Sequence, residues 1–362
     1  MTTMKAPEAK LWDARFVKML KKMAPGTALR EGLENILRAK MGALVLMDDS
    51  PESLRIVDCG FELNAEYSPS NFYELAKMDG ALVLSGDGKR ILYANAQLIP
   101  EPGIPTSETG TRHRTAERAA KQTGALVVAI SHRRNIITMY LGDLRYTLKD
   151  ITFILARANQ ALHTLERYNQ ALQKSLSSLN VLELDELVTL GEVVDVLVRG
   201  ERVSRIANEI EQNIIELGSE GRLVNMQMEE IMPNNVGVWD LIQDYCVVPD
   251  FKTHEEIFEQ LRHLPEEGLD RYGVGRLLGY GITPSTLDVP VIPRGFRILR
   301  QIPRLPPLVV ENIVAHFKTV SRIYSATLSE LDEVDGIGEA RARAIRQGIK
   351  RLREQTIFDN GV

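Results

Sequence analysis

Gly42-Ala43-Leu44-Val45-Leu46 returns as Gly80-Ala81-Leu82-Val83-Leu84 and again as Gly124-Ala125-Leu126-Val127-Val128. Each copy is a near-continuous apolar run behind a glycine, the pattern of a strand buried on both faces. Ser85-Gly86-Asp87-Gly88-Lys89 reads as a turn joining the second run to another strand, Ile91 to Leu98. Asn135 to Tyr140 supplies one more. Residues 10–23 and 27–40 carry helical apolar spacing, with Pro25-Gly26 as the break between them. Helices and strands interleaved in this way predict an α/β domain whose sheet is covered on both sides. A loop from Pro100 to Pro105 then delivers the chain to Thr109-Gly110-Thr111-Arg112-His113-Arg114-Thr115, the entrance of an alanine-rich helix. The first turn of a helix carries partial positive charge and unpaired N–H groups, so two arginines there demand something negative opposite them.

The chain has 362 residues, 44% apolar and 26% charged, which describes a globular protein of two or three domains. No apolar run reaches the roughly 20 residues that span a bilayer, so no membrane association is expected. The first twelve residues hold no apolar signal core, and Cys59 and Cys246 stand alone. A reduced, cytoplasmic location is the expectation. The formal charge of −5 argues against wholesale coating of nucleic acid. It is unevenly spread: Val291 to Val362 holds twelve Lys/Arg against eight Asp/Glu, a net of +4. That asymmetry favours an anionic partner for the tail.

Beyond Asp150 the strand signals stop. Leu155, Ala158, Leu162, Leu165, Asn169, Leu172, Leu176 and Leu179 alternate steps of three and four. Such a seam either lines its own domain's core or forms a spine between subunits, where a buried Asn sets register. Residues 181–290 read as mostly helical, with breaks at Gly218, Pro233 and Pro249, and Thr283 to Gly295 reads as the next boundary.

The tail repeats itself. Leu331, Val334, Gly336, Ile337, Gly338, Ala342 and Ile345 lie over Leu299, Ile302, Arg304, Leu305, Pro306, Val310 and Ile313, with every apolar position in phase. Both copies read helix, tight turn, helix, and resemble the tandem helix-hairpin-helix modules that bind DNA without reading sequence. In such a hairpin, glycines such as Gly336 and Gly338 around Ile337 let backbone N–H groups approach a phosphate. Arg341, Arg343, Arg346 and Lys350 follow on the second helix as further phosphate contacts. The first copy, with Arg304 and Pro306 in place of the glycines, is expected to serve chiefly as a packing partner.

No phosphate loop of the Walker type is present: Gly88-Lys89 has Val83 where that motif needs a glycine, and Arg90 follows. No histidine pair has metal-ligand spacing, and there is no nucleophile elbow. What remains is Asp79-Gly80-Ala81 at the head of a buried strand and Thr111 to Thr115 at the head of a helix. Together they suggest a carboxylate that holds a divalent metal beside a cradle of N–H groups, hydroxyls and cations for a polyphosphate. Such a pair fits phosphoryl or nucleotidyl transfer, in which positioning and charge stabilisation dominate.

Asp79-Gly80-Ala81 with Arg112-His113-Arg114 resembles the two signatures of the diadenylate cyclase family. With the helical middle and the hairpin tail, the whole chain is similar to the DNA-scanning members of that family. The resemblance implies a multidomain α/β plus all-α fold. It has an α/β cyclase domain with a central mixed sheet flanked by helices over 1–150, a helical spine over 151–290, and a tandem helix-hairpin-helix over 291–362. It implies condensation of two ATP into cyclic di-AMP with release of pyrophosphate, dependent on Mg²⁺ or Mn²⁺ and coupled to scanning of damaged or branched DNA. Carried over, Asp79 would bind the metal and help activate the ribose 3′-hydroxyl. Gly80 would let the nucleotide lie close, and Leu98 would line the adenosine pocket. Thr111, Arg112, His113, Arg114 and Thr115 would hold the phosphates, with Ser131 and Arg134 as further ligands. Two equivalent linkages require two domains face to face, and the resemblance implies an octamer. The rivals are a DNA-junction scaffold that only senses ATP, and a metal-dependent nuclease on the tail. The nuclease is disfavoured because no carboxylate cluster accompanies Gly336-Ile337-Gly338.

Overall fold

The structure is a computed structural model and describes residues 14–232, 238–247, 253–281 and 283–359. Pro233 and Pro249, two of the expected breaks, lie outside these residues. The chain forms two compact units. The first comprises the residues up to Gln160 together with Ile210–Gln227, and the second Ala161–Glu209 with the residues from Met228 onward.

The first unit contains α1 (Ala14–Lys22), α2 (Ala28–Arg38), β1 (Ala43–Met47), α3 (Pro51–Leu54), β2 (Val57–Asp58), β3 (Phe61–Glu66) and α4 (Pro69–Leu75). It continues with β4 (Ala81–Leu84), β5 (Arg90–Leu98), α5 (Thr111–Thr123), β6 (Leu126–Ser131), β7 (Ile136–Leu141) and β8 (Leu144–Thr147). Thr27 and Ser68 cap α2 and α4, their side chains accepting backbone N–H groups of Arg30 and Asn71. Gly124, at φ +68°, ends α5 in the left-handed region.

Among the described residues the strands form one mixed sheet in the order β2-β5-β4-β1-β6-β7-β8, with β3 also on β5. Only β1 and β4 are parallel. The three glycine-led runs become β1, β4 and β6, adjacent at the centre of the sheet, and β1 and β4 are buried throughout. Alternation along them feeds two cores. Ala43, Val45, Met47, Leu82, Leu84, Val128 and Ile130 pack with Phe16, Leu20, Leu33, Ile36 and Phe72 of the helices on one face. Leu44, Leu46, Ala81, Val83, Val127 and Ala129 pack with Ala116, Ala119 and Ala120 of α5 on the other.

The chain then passes through α6 (Ile151–Leu184), α7 (Leu190–Leu217) and α8 (Arg222–Ile231), and α7 ends where Gly218 takes φ +53°. In the second unit's part of α6, Leu162, Leu165, Leu172, Leu176 and Leu179 are buried. Asn169, the polar position of the seam, donates its amide to the Ile231 carbonyl at 2.7 Å. Its hydrogen bond is therefore met within the chain.

Shorter helices follow: α9 (Val238–Tyr245), α10 (His254–His263), α11 (Arg271–Leu277), α12 (Phe296–Arg300), α13 (Pro307–Phe317), α14 (Val320–Ser325), α15 (Leu328–Asp332) and α16 (Glu339–Asp359). The in-phase apolar positions of the two tail repeats, Leu299, Ile302, Val310 and Ile313 with Leu331, Val334, Ile337, Ala342 and Ile345, share one core. Arg304 takes φ +64° where its counterpart Gly336 takes φ +82°. The first hairpin thus keeps the left-handed turn without the glycine, at a cost of roughly 1–2 kcal/mol for a residue with a Cβ. No helix among the described residues is long and apolar enough to cross a membrane.

A buried ionic clamp ties α6, α9 and α12 together inside the second unit. Asp244 accepts the N–H groups of Gly295, Phe296 and Arg297 at 2.7, 2.7 and 3.0 Å, which caps α12. Arg297 pairs with Glu183 and donates to Asn180 at 2.6 Å, and the Tyr245 hydroxyl donates to Glu183 at 2.5 Å. Burial, and then the Glu183 charge, push Asp244 up to about 7. The folded chain therefore holds this proton above the pH at which the unfolded chain, with an ordinary Asp near 3.9, releases it. Stability from Asp244 is fully present below about pH 4 and is lost as pH rises through about 7. Resistance of the second unit to denaturant is expected to fall progressively from about pH 4 to about pH 7 and to level off above that value. Asp244→Asn should flatten this dependence, and an unchanged pH profile in the variant would contradict the assignment.

Candidate active site

The sheet order decides what meets what. Leu44 pairs with Ala81 across the parallel strands, so Gly42 and Asp79-Gly80 occupy the same edge. Ala81 pairs with Ala96 and Ala43 with Ile130, which brings Leu98 and Ser131 to that edge as well. Helix α5 leads through Gly124 directly into the far end of β6, so its head returns to the edge where Ser131 stands. Asp79, Gly80, Leu98, Thr111 to Thr115, Ser131 and Arg134 are thus gathered along one rim of one sheet, although they lie on four separate stretches of chain.

The rim residues differ in their surroundings. Asp79, Thr111, Arg112 and Arg114 are exposed, Thr115 and Ser131 half-buried, and Leu98 and His113 buried. Gly80 has φ +93°, and a Cβ there would come within 2.6 Å of the Ala96 carbonyl oxygen. The fold itself demands this glycine, because β5 passes too close for any side chain. Arg112 is held over Gly42: a Cβ at that position would lie 2.4 Å from its Nη1 and 3.1 Å from the Ile130 carbonyl oxygen. Sequence reasoning missed Gly42, the first glycine of the refrain, because nothing local reveals a guanidinium arriving from residue 112.

The head of α5 carries neither a side-chain cap nor an acid in its first turn. The first of its N–H groups to find a backbone carbonyl is that of Arg114, on Gly110 at 2.9 Å. Donors and cations therefore face the rim together. The loop before the helix is stitched to its flank. Glu117 accepts Thr106 Oγ1 at 2.5 Å and the Ser107 N–H at 3.2 Å, and Lys121 Nζ stands 2.7 Å from its other oxygen. Burial pushes the Glu117 carboxyl up, but Lys121 and Thr106 outweigh it and hold the group below the usual carboxylate range. Arg118 and Lys121 also donate to the carbonyls of Ile104 and Pro105, both at 2.9 Å.

Behind the rim lies a second set of residues that sequence reasoning missed. Glu108 is buried, with Arg145 Nε at 2.7 Å from its Oε1 and Arg134 Nη1 at 4.0 Å from its Oε2. The Tyr140 hydroxyl donates to Glu108 Oε1 at 2.8 Å and lies 2.9 Å from His113 Nδ1. Burial lowers His113 from the ordinary imidazole range; Glu108 opposes this, while Arg134, Arg145 and Arg112 reinforce it. Burial and the Glu108 charge together raise the Tyr140 phenol. An acid in a Pro-rich loop and a tyrosine within a strand carry no local sign of this contact.

Among the described residues no three His, Cys, Asp or Glu side chains cluster as a ready-made metal site. A single exposed carboxylate such as Asp79 suits a hard cation that takes its remaining ligands from substrate phosphates and water. On the tail, Gly338 has open space around it, whereas the left-handed turn at Gly336 favours glycine. Arg341 donates to the Gly336 carbonyl at 2.5 Å and Arg343 pairs with Glu339, so both help to hold the hairpin.

With a rim of this composition on a mixed α/β sheet, comparison with known proteins is decisive. Residues 30–144 match the family described as the DisA bacterial checkpoint controller nucleotide-binding region, and residues 148–287 match its linker region. The first unit therefore carries the diadenylate cyclase domain, and the chain is a nucleotidyltransferase of that class. Over 349 residues it is 54% identical to the DNA integrity scanning protein DisA of Carboxydothermus hydrogenoformans, covering 96% of this chain and 99% of that one. It is 53% identical over 350 residues to the Clostridium botulinum protein of the same name, covering 96% and 98%. The chain belongs to the DisA family of DNA integrity scanning proteins.

The Arg112–Gly42 contact yields a direct test. Gly42→Ala should cost the strand only a shift of a few tenths of an ångström, because the nearest obstacle is the far end of a flexible side chain and the Ile130 carbonyl oxygen stands 3.1 Å away. It should displace the Arg112 guanidinium and reduce cyclic di-AMP synthesis about 10- to 100-fold, the usual cost of moving a positioning group by about an ångström. Initial rates with the purified variant would measure it; a wild-type rate would remove Arg112 from the working site.

Proposed function

We propose that the rim formed by Asp79, Gly80, Leu98 and the head of α5 binds one ATP, and that two such rims face each other to make cyclic di-AMP. Each ATP presents its 3′-hydroxyl to the α-phosphorus of the other. A new P–O bond forms there as the bond to pyrophosphate breaks and the hydroxyl proton leaves. Two turns of this exchange convert two ATP into one cyclic di-AMP and two pyrophosphates. One rim holds one nucleotide, so a lone chain is nearly inactive, and an octamer is the assembly this reading carries forward.

The observation that supports this most is the convergence of the acid-led strand and the cationic helix mouth on one sheet edge. Asp79 would hold Mg²⁺ or Mn²⁺ together with the phosphates, and the bound ion would supply charge neutralisation and acidify an oxygen ligand. Thr111, Arg112, Arg114 and Thr115, with the free N–H groups at the head of α5, would grip the polyphosphate and offset charge developing on the departing pyrophosphate. Ser131 and Arg134 extend that grip from the β6–β7 turn. Leu98 offers the nucleoside an apolar wall. The division of labour follows the three segments 1–150, 151–290 and 291–362, and the location is cytoplasmic.

Incubation with Mg²⁺ and labelled ATP, with and without branched DNA, tests the whole reading. Asp79→Asn is expected to abolish cyclic di-AMP formation while retaining the fold by circular dichroism. Retention of more than a few per cent of the rate would favour a scaffold that merely senses ATP.

For the tail we propose sequence-independent DNA binding through Gly336-Ile337-Gly338, with the exposed Arg341, Arg343, Arg346 and Lys350 supplying cations and DNA engagement regulating synthesis. Gly338 motivates this, since neither backbone strain nor crowding within the chain calls for a glycine there. It stands immediately before α16, and its carbonyl accepts the Ala342 N–H at 3.0 Å, as at a helix N-cap. Gly338→Asp should therefore keep stability within about 0.5 kcal/mol, because Asp is itself a good N-cap. It should weaken DNA binding about tenfold by placing a carboxylate against phosphate. Fluorescence anisotropy with a labelled junction would read this, and unchanged affinity would place the DNA surface elsewhere.

A further inference from the structure

Arg112, His113 and Arg114 stand together in sequence, yet the structure treats the histidine differently from its neighbours. Both arginines are exposed, whereas only 7% of His113 is accessible. Its Nδ1 is 2.9 Å from the Tyr140 hydroxyl, and its Nε2 is buried without a hydrogen-bond partner.

Proton placement in this chain follows from counting hydrogens. Glu108 is paired with Arg145 at 2.7 Å, and a carboxylate so paired can only accept. Tyr140 has one hydroxyl hydrogen, and its oxygen lies 2.8 Å from Glu108 Oε1. If that hydrogen pointed at His113 instead, two bare oxygens would face each other. The hydrogen therefore lies toward Glu108, and the tyrosine oxygen accepts from His113. Nδ1 must then carry the imidazole hydrogen, which leaves Nε2 with a lone pair in the neutral ring. Double protonation is opposed by the surroundings. Arg112 on the same helix, Arg134 on the β6–β7 turn and Arg145 on β8 all act on the ring, and burial adds to them against the single opposing charge of Glu108.

We infer that Glu108 and Tyr140 are positioning residues that fix the tautomer of His113, so that the two arginines donate to phosphate while Nε2 accepts a hydrogen bond from a hydroxyl of the bound nucleotide. A neutral Nε2 without hydrogen has nothing to donate to a phosphate oxygen. A ribose hydroxyl, by contrast, has a hydrogen to donate. The ring edge bearing Nε2 lies beside the helix mouth: a Cβ on Gly110 would be 3.9 Å from His113 Cδ2, the carbon bonded to Nε2. Gly110 is itself exposed, so this edge of the ring lies just beneath the open helix mouth. The unpartnered buried nitrogen is also a polar group withheld from water, which a hydroxyl donor would satisfy. This inference rests on the rim being the nucleotide site.

Solid-state ¹⁵N NMR of the full-length protein labelled at histidine reads the tautomer directly, with His113→Asn identifying the signal. The expected wild-type spectrum at pH 7 shows His113 protonated at Nδ1 and bare at Nε2. Tyr140→Phe keeps the ring in the core but removes the acceptor. It should lose the Nδ1–H signature and lower kcat about tenfold or more, with KM for ATP changed less than about threefold, as expected for a group that acts on the reacting geometry. Glu108→Gln should act in the same direction. An Nε2-protonated or doubly protonated His113 in the wild type, a tautomer unaltered in Tyr140→Phe, or an unaltered kcat would each overturn the inference. Asp79→Asn serves as the control for the site itself. It should remove activity while leaving the His113 signals in place, so failure of the site reading and failure of the tautomer reading give different results.

Discussion

The constraint on which the active rim depends is the close seat of α5 on the sheet. Ala116, Ala119 and Ala120 are fully buried against β1, β4 and β6, and side chains that small let a helix lie flat on the strands. Because α5 runs back along β6, close packing along its length also sets where its head stops. That head carries unpaired N–H groups and two exposed arginines, and it stops at the edge where Asp79 and Leu98 emerge. A larger residue at any of the three alanines would lift the helix and separate the two walls. The contacts of Glu117, Arg118 and Lys121 with the preceding loop hold the same register from outside.

Electrostatics in the rim follow from that seat. A helix mouth with cations and no acid is unfavourable alone and becomes favourable only beside an anion. The chain does not place a compensating acid in the mouth. It places Glu108 behind, out of water, where it pairs with Arg145 and orients Tyr140. The positive field at the rim thus stays uncompensated in front, while Glu108 holds Arg145 and, through Tyr140, His113 from the rear. The second unit uses buried charge for a different end. Asp244, Arg297, Glu183 and Tyr245 satisfy one another and fasten three helices. Removing Arg297 or Glu183 alone would strand its partner's charge in the core.

The hairpins separate a glycine that the backbone geometry favours from one that it does not. Gly336 and Arg304 occupy equivalent left-handed turns, so the turn survives without glycine at a modest cost in strain. Gly338 carries no such demand. Arg341 and Arg343, read from the sequence as phosphate contacts, spend hydrogen-bonding capacity on Gly336 and Glu339. Their cationic surface remains exposed, but their geometry is set by the hairpin.

Much of this protein was readable before any coordinates. The glycine-led refrain predicted the three central strands because full burial writes a period-free apolar run. The turn at Ser85–Lys89, the long helix with its apolar seam and the in-phase tail repeat were readable for similar reasons, since each is a local pattern with local physics. The pairing of Asp79-Gly80 with Arg112-His113-Arg114 came from motif resemblance. Other features had no local sign. Gly42 under Arg112, Gly80 pressed against β5, and Glu108 joined through Tyr140 to His113 are contacts between residues 16 to 70 positions apart. The order of strands in the sheet creates them, and that order is settled by which faces can be buried together. Composition and periodicity determined the elements and their inward faces, because burial acts residue by residue. Only the folded chain decided which ends of those elements share an edge, because that depends on the packing of all of them at once.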